Sequence, residues 1–534
     1  MTRVSSINGV RTTLIEGSPS VAFEEKSTTN QCEQLSSLSV FTFLWSQVAA
    51  LQLGKLWTES RMLPFSVLSI AIVLALIYPR SSSTFALLVI ESFILFCYGS
   101  LSNHVIVSIF VCFTVLVSYS KDRAIWAART TGNVRLLVGA LYLITGLHKL
   151  NADWFNPRYS CANLMIAGSF AVVRVIPDWV TTAILPYVPV FAVGVELVLG
   201  LLWLLPSHLM IRRLAAILGA GMHIMLAFPL SPMSVYPFSV LMVPLYVFLV
   251  PEDVVSGVRW ILERKRGALA AFGLLFGTCI MNLEHWIGLR EPMYEYPAYS
   301  SWPLAVTWNS IAWVLMLVMV LVGLIGRVSF CRDHADSDAS PRTNTKLQRT
   351  PLGYFFAVSL FVFGFLPYLG LRTYPALAMF SNLRTEGRNQ NHFFLPRSLD
   401  VFGYQRDTVK ILDSDSARFR NFQVDLGELF HDGTQSYLDK FNISNEFFIV
   451  PPSWRDTSPG FRPFEVPVIE FRRRASQARG SQDQQFQVLL EYRGERVAYD
   501  SSIGDDRFDD MLNLVEETVL RFRTFDSDYS PCRH

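Results

Sequence analysis

Residues 134–150 read VRLLVGALYLITGLHKL, an apolar run that closes on His148 and Lys149. Its length is near the roughly 20 residues with which an α-helix crosses a bilayer, so it is read first as a membrane span. Comparable runs lie at 39–57, 64–79, 84–100, 104–119, 188–206, 212–229, 232–250, 267–288, 302–326 and 351–370. The first is the weakest, because Gln47, Gln52 and Lys55 leave it amphipathic enough to lie in the interface. The stretch 163–187 is apolar but interrupted by Arg174, Pro177 and Asp178, and reads as an interfacial or re-entrant element. The expected fold is therefore an all-α polytopic membrane bundle of about ten transmembrane helices, followed by a small α+β extramembrane domain.

Composition agrees with an apolar solvent. Of 534 residues, 51% are hydrophobic and 17% charged, against about 25% charged in ordinary soluble domains; the mean hydropathy is +0.31. The net charge is only +2, and no basic block carries the aromatic interleaving of a nucleic-acid groove, so no nucleic-acid partner is expected. Seven cysteines are scattered without CxxC or zinc spacing, which indicates neither a disulfide framework nor a metal site. Residues 1–38 are polar and read as a cytoplasmic tail without a removable signal peptide.

Orientation follows from Lys and Arg in short loops. The loops with Lys121, Arg123 and Arg129, with Arg212 and Arg213, with Arg259, Arg264, Lys265 and Arg266, and with Arg327 to Arg349 all fall on one side of the expected bundle, the cytoplasmic one. Residues 39–370 then form the membrane domain, and 371–534 lie on the extracytoplasmic or lumenal side. The latter region is charged and turn-rich. It has short β-type runs at Phe447 to Val450, Val466 to Phe471 and Phe486 to Tyr492, and a helical spacing of apolar residues from Asp509 to Phe522. Asn442-Ile443-Ser444 is a glycosylation sequon if the host membrane is a eukaryotic secretory one. The localisation expected is an integral membrane protein of a bacterial inner membrane or the endoplasmic reticulum.

Ionisable groups inside spans are costly and mark candidate sites. Asn103 and His104 open one span, His148 and Lys149 close another, and Glu284 and His285 close a third. His223 lies about 9 Å and Glu196 about 12 Å from the same face, at 1.5 Å of rise per residue. All are expected to converge on the leaflet that faces the C-terminal region. Gly139 and Gly146, and Gly219 and Gly221, would let their helices approach closely. Each residue also has a plainer reading. Lys149 could snorkel to headgroups, His104 and His285 could be interfacial, and Glu196 and His223 could be structural hydrogen-bonding groups. Glu91, in mid-span, could pair with any of these or line a different cavity.

Gly146-Leu-His-Lys149-Leu-Asn-Ala-Asp153-Trp154 resembles the Lys-Leu-Asp-Ala-Asp-Trp stretch of the vitamin K-dependent gamma-carboxylase family, whose bacterial relatives are the HTTM proteins. The Asn103-His104 pair, Glu196 and His223 fall in register with it, over roughly residues 39–325. Residues 379–392, MFSNLRTEGRNQNH, look loosely like that family's Arg/His-containing lumenal substrate segment. The resemblance implies a membrane enzyme, a lyase or oxidoreductase, that uses a reduced naphthoquinone (vitamin K or a menaquinone), O2 and, for carboxylation, CO2. The lysine matching Lys149 would deprotonate the quinol, and an oxygenated species would become the strong base that epoxidation accompanies. Asn103 and His104 would hold the quinol oxygen, with His223, Glu196 and His148 as supporting groups. No counterpart of the family's large propeptide-binding region is evident, so the quinol chemistry is the half that carries over.

A peptide or protein would be the substrate on the extracytoplasmic side. Arg384, Arg388 and His392 are candidate contacts for an acidic one, or else belong to a solvated loop. The rival expectation is a transporter or lipid-handling protein that binds cargo at the same intramembrane residues. It requires water access from both faces.

Overall fold

The computed structural model describes residues 37–250, 348–525 and a few others around them, with internal gaps of which 449–462 is the longest. The expected spans at 267–288 and 302–326 lie outside the described residues, as do Glu284, His285 and Arg388.

Helices α1 (Ser37–Thr58), α2 (Met62–Ile77), α3 (Ser81–Tyr98), α4 (Asn103–Val117) and α5 (Arg123–His148) come first. They are followed by α6 (Cys161–Val173), α7 (Asp178–Ile184), α8 (Val188–Leu204), α9 (Leu209–Ala227), a helical segment from Tyr236 to Leu249 with a 3₁₀ turn at Val243–Leu245, and α10 (Pro351–Phe365). The expectation of about ten transmembrane helices is not met. Among the described residues two helices are long and apolar enough to cross a membrane, Ser81–Tyr98 and Leu209–Leu226, and up to three if the bent pair α7 and α8, at 53°, forms one span.

The reason is physical. An apolar run in sequence need not become a helix of the same length: α2, α4 and α10 stop at 16, 15 and 15 residues, short of the roughly 20 a span needs. The run at 232–250 changes helix type at Pro244. With the span count corrected, the charge alternation of the loops no longer fixes an orientation.

The helices nevertheless turn apolar side chains outward. Leu63 and Ile70 on α2, Phe93 and Phe96 on α3, Val190 and Phe191 on α8, Met210 and Leu214 on α9 and Phe355 and Val358 on α10 are all more than half exposed. Exposed apolar surface on this many helices is unusual for a water-soluble protein and is compatible with membrane association.

Helix α5 is the central element. Asp122 caps it, its carboxylate accepting from the backbone N–H of Ala124 at 2.8 Å and of Ile125 at 3.3 Å. It runs antiparallel to α8 at glycine-mediated contact. A Cβ on Gly146 would stand 2.8 Å from Leu197 Cδ2, and one on Gly200 2.8 Å from Leu143 Cδ2. Arg135, inside the opening stretch, is buried because it serves this packing. Its guanidinium donates to the carbonyls of Trp203 at 3.3 Å and Leu205 at 2.8 Å, while Arg349 donates to Leu204 at 2.7 Å. Two cations thus satisfy the last carbonyls of α8 and its negative dipole end.

The C-terminal region builds a four-stranded antiparallel sheet in the order β4-β1-β5-β6, from β1 (Thr408–Ser414), β4 (Phe464–Pro467), β5 (Gln487–Tyr492) and β6 (Glu495–Asp500). One face packs on α12 (Val468–Arg479) through Val409, Ile411, Phe471, Val488 and Leu490. A second sheet joins β2 (Gln423–Asp425), β3 (Glu446–Phe448) and β7 (Cys532–Arg533), and α11 (Gly433–Lys440) packs on α6.

Three local expectations are corrected here. The strand expected at Val466 to Phe471 ends at Pro467 and continues as helix α12. The helix expected from Asp509 to Phe522 is mostly irregular, and Leu520 and Phe522 instead pack against Ile469. Finally, Cys161 and Cys532 form a disulfide, with Cα atoms 4.8 Å apart, where no disulfide was expected.

Candidate functional site

The face of α5 that meets α8 carries Tyr142, Thr145 and Gly146, with Lys149 just beyond, at helical spacing. Because Gly146 and Leu197 bring the two backbones together, the Lys149 amine arrives beside Glu196. Its Nζ lies 2.9 Å from Oε1 and 2.7 Å from Oε2. Only about a tenth of either side chain meets solvent, 9% for Lys149 and 11% for Glu196. The amine also lies 5.5 Å from the centre of the Trp154 ring, which its own Nε1–H fixes to the Pro189 carbonyl at 3.0 Å. Lys149 therefore does not snorkel to headgroups. A carboxylate and an aromatic face enclose it.

His148, adjacent in sequence, turns away. Its Nδ1 lies 3.0 Å from the Tyr368 hydroxyl and its ring stacks on that phenol at 5.5 Å between centres. The Tyr368 ring in turn meets His392 edge-on at 5.2 Å.

His223 is fully buried and lies 2.7 Å through Nε2 from the Tyr142 hydroxyl, which sits 3.1 Å from Tyr246. Its Nδ1 has no hydrogen-bond partner among the described residues. Gly219 is needed there, since a Cβ would collide with the Tyr246 hydroxyl. Nothing comparable crowds Gly221.

Asn103 is buried and serves the chain: its Oδ1 accepts from the Leu377 N–H at 2.8 Å. His104 lies half-buried beside the Ser102 hydroxyl, at 3.3 Å. Glu91 belongs to a separate cluster, where its Oε2 accepts from Trp45 Nε1–H at 2.6 Å and lies 3.8 Å from Cys112 Sγ.

Residues 371–392 form the least expected part of the site. They are irregular, yet nearly every described residue in the segment is buried, including Arg384 at 7% and His392 at 9% exposure. The solvated loop is thus corrected to an interior strap. Irregular backbone seldom enters an interior because its polar groups must be satisfied there. Here they are. Asn151 Nδ2 donates to the carbonyls of His148 at 2.8 Å and Ser381 at 2.7 Å. Asn391 Nδ2 donates to Asp153 Oδ2 at 2.8 Å and to the Asn382 carbonyl at 2.7 Å, while its Oδ1 accepts from the Arg384 N–H at 2.8 Å. Asn382 accepts from the Cys161 N–H and donates to the Tyr159 carbonyl, both at 2.8 Å.

On the other side, Arg523 Nε pairs with the fully buried Glu386 at 2.9 Å. Leu377, Phe380 and Asn382 hold φ values of 59°, 53° or nearby, a left-handed conformation that persists in non-glycine residues only where surroundings over-determine it.

His392 is the clasp. Its Nδ1 accepts from the N–H groups of Phe394 at 3.2 Å and Leu395 at 3.0 Å, so Nε2 carries the proton and donates to the Leu147 carbonyl at 3.0 Å. Burial holds its pKa below the ordinary imidazole value, against the opposing effect of the Leu147 bond. Both nitrogens are committed to backbone, which makes His392 a fastener of the strap.

The two stretches singled out in the sequence, 146–154 and 379–392, are therefore in direct contact. Tyr142, Tyr246 and Tyr368 were missed, and Trp154 was quoted only as part of the motif, without a role. Tyr142 could have been found from its helical spacing to Lys149, but nothing in the sequence links Tyr368 to His148. Among the described residues no group of three or more His, Cys, Asp or Glu side chains is placed to hold a metal. Comparison with family models, curated proteins and solved structures finds no match.

Proposed function

We propose that the chain is a membrane-anchored enzyme that uses a reduced lipid quinone at a proton-exchanging pair, Lys149 and Glu196. The observation that carries this reading is the buried ion pair itself, held between two helices and closed by a polar strap. A buried pair contributes little to stability compared with apolar residues of the same volume, so its placement at the end of a lipid-facing bundle is best explained by use. Lys149 and Glu196 would act as one unit that takes up a proton at Nζ or at the carboxylate. Trp154 and Leu197 would exclude water, and the strap would separate the pair from bulk solvent.

The residues present suit a quinol. A ligand of this class needs an apolar bed and one or two polar groups. His223 offers an unpartnered Nδ1 beside the Phe238 ring, 5.9 Å between centres, and Asn103, whose oxygen is engaged with Leu377, still has its amide N–H groups. A reduced naphthoquinone with O2 would supply the oxidative chemistry. His104 is the further candidate for positioning it, by the resemblance to the gamma-carboxylase family.

The same reading anchors the chain in the bilayer and places the strap and the C-terminal sheets on its non-cytoplasmic side. The Cys161–Cys532 disulfide supports that side, since such bonds persist in oxidising compartments. The test is turnover. Purified protein is given reduced menaquinone and O2, and epoxide is measured by mass spectrometry in the wild type, Lys149→Ala and Glu196→Gln. Epoxide formation is expected in the wild type and loss of at least about 100-fold in each variant. Wild type without turnover, or folded variants that turn over normally, would overturn the reading.

A further inference from the structure

At the opposite end of α5 from Lys149 the structure holds a cavity of about 1090 Å³ that the proposed chemistry does not use. Its polar wall is built from Arg80, Arg123 and the first residues of α3, Ser81 and Ser82. Its apolar wall includes Phe85 and Tyr119.

The arginines are arranged for an anion. Arg123 Nη2 donates to the Pro79 carbonyl at 2.7 Å and to the Ser39 hydroxyl, which orients the guanidinium. Its Nε is buried and has no acceptor among the described residues. Arg80 is exposed, and its guanidinium lies 5.8 Å from the centre of the Tyr78 ring. Neither has a carboxylate partner among the described residues: Asp122, the nearest acid in sequence, is taken up in capping α5. Two guanidiniums beside the N-terminus of an 18-residue helix form a phosphate-type site, because the forked donors and the first-turn N–H groups both complement a tetrahedral anion.

The apolar wall says that the anion carries a chain. The Phe85 and Tyr119 rings meet edge to face at 5.3 Å, and Phe85, Tyr119 and the neighbouring Ile77 are 40%, 45% and 60% exposed. A free anion gains nothing from that surface, while an acyl chain does. The level is also right. The cavity sits at the N-terminal end of α3, one of the two described helices long and apolar enough to cross a membrane, where a headgroup layer would lie. We infer that this cavity binds the phosphate headgroup of an anionic lipid at the membrane interface where α3 begins.

The test uses the full chain in neutral detergent, with dioctanoyl phosphatidic acid, dioctanoylglycerol and inorganic phosphate as probes, and reads bound mass by native mass spectrometry. Saturable binding of the phosphatidic acid is expected, at least about tenfold tighter than of either other probe. Arg80→Gln should weaken it about tenfold and Arg80→Lys less, because the forked geometry is lost while the charge stays. The hydrogen bonds of Arg80 among the described residues are made by its backbone, which a substitution keeps, so its variants remain informative even if Arg123→Gln fails to fold. Equal binding of dioctanoylglycerol would reduce the site to an apolar patch, and equal binding of inorganic phosphate would make it a free-anion site. Either result, or an unchanged affinity in Arg80→Gln, overturns the proposal.

Discussion

The amide of Asn391 donates to the carboxylate of Asp153 at 2.8 Å, across 238 residues of sequence. One side chain thereby joins the buried strap to the turn that follows Lys149, and it makes further bonds to Asn382 and Arg384. Asn391→Ala removes all of these and leaves Asp153 without this donor. A loss of about 2–4 kcal/mol is expected, the sum of two or more buried hydrogen bonds with their desolvation cost. Thermal unfolding checks the magnitude, and faster proteolytic cutting within 381–392 checks the place.

The Lys149–Glu196 pair separates two effects. Glu196→Gln or Lys149→Met alone strands a buried charge and should cost about 3–5 kcal/mol, whereas the double replacement Lys149→Met with Glu196→Leu should recover most of that. Denaturant unfolding of the four proteins is the measurement. A double variant as stable as wild type but without quinol turnover would assign the pair to function.

His392 sets a pH dependence with a definite sign. Its folded pKa is held below the ordinary value of 6.5 by burial, so the neutral ring is the one the fold prefers. Its contribution is fully present above that value and is lost as pH falls through it towards the lower folded pKa. Protonation must also displace the Phe394 and Leu395 N–H groups from Nδ1. Stability should therefore decline below about pH 6.5, and His392→Gln should remove that part of the slope in a series of unfolding curves.

Gly146 tests the helix contact. A valine there meets Leu197 at once, and overpacking of this kind costs about 1–3 kcal/mol. Since the contact delivers Lys149 to Glu196, Gly146→Val should lower turnover more than it lowers the unfolding temperature. Gly221, with open space around its Cβ position, is the control, and Gly221→Ala should change neither.

Much of the site was legible because its parts are local. The run 146–154 announces itself by a basic residue at the end of an apolar stretch, and Glu196 by its isolation in another, so both could be placed near one face, but that they form an ion pair was not foreseen. The strap was not legible. Residues 371–392 have no period, and their burial depends on Asn151 and Asn391 answering each other over a distance no sequence pattern encodes. The bundle was overcounted for a related reason. Hydrophobicity reports that a segment avoids water, but the helix lengths of α2, α4 and α10 were set by caps, prolines and packing. Arg135 shows the converse, a charge inside an apolar run that looks forbidden until the carbonyl end of α8 is seen beside it.

The sulfur bridge from Cys161 to Cys532 spans 371 positions and encloses α6 to α12, the strap and both sheets in one covalent ring. A single protease cut anywhere inside that ring opens it into a longer thread but releases no fragment. Parting the enclosed helices from the sheets would take a second cut or a reductant, so under oxidising conditions a molecule nicked inside the ring travels as one piece and its two halves can re-form their contacts without having to find each other again.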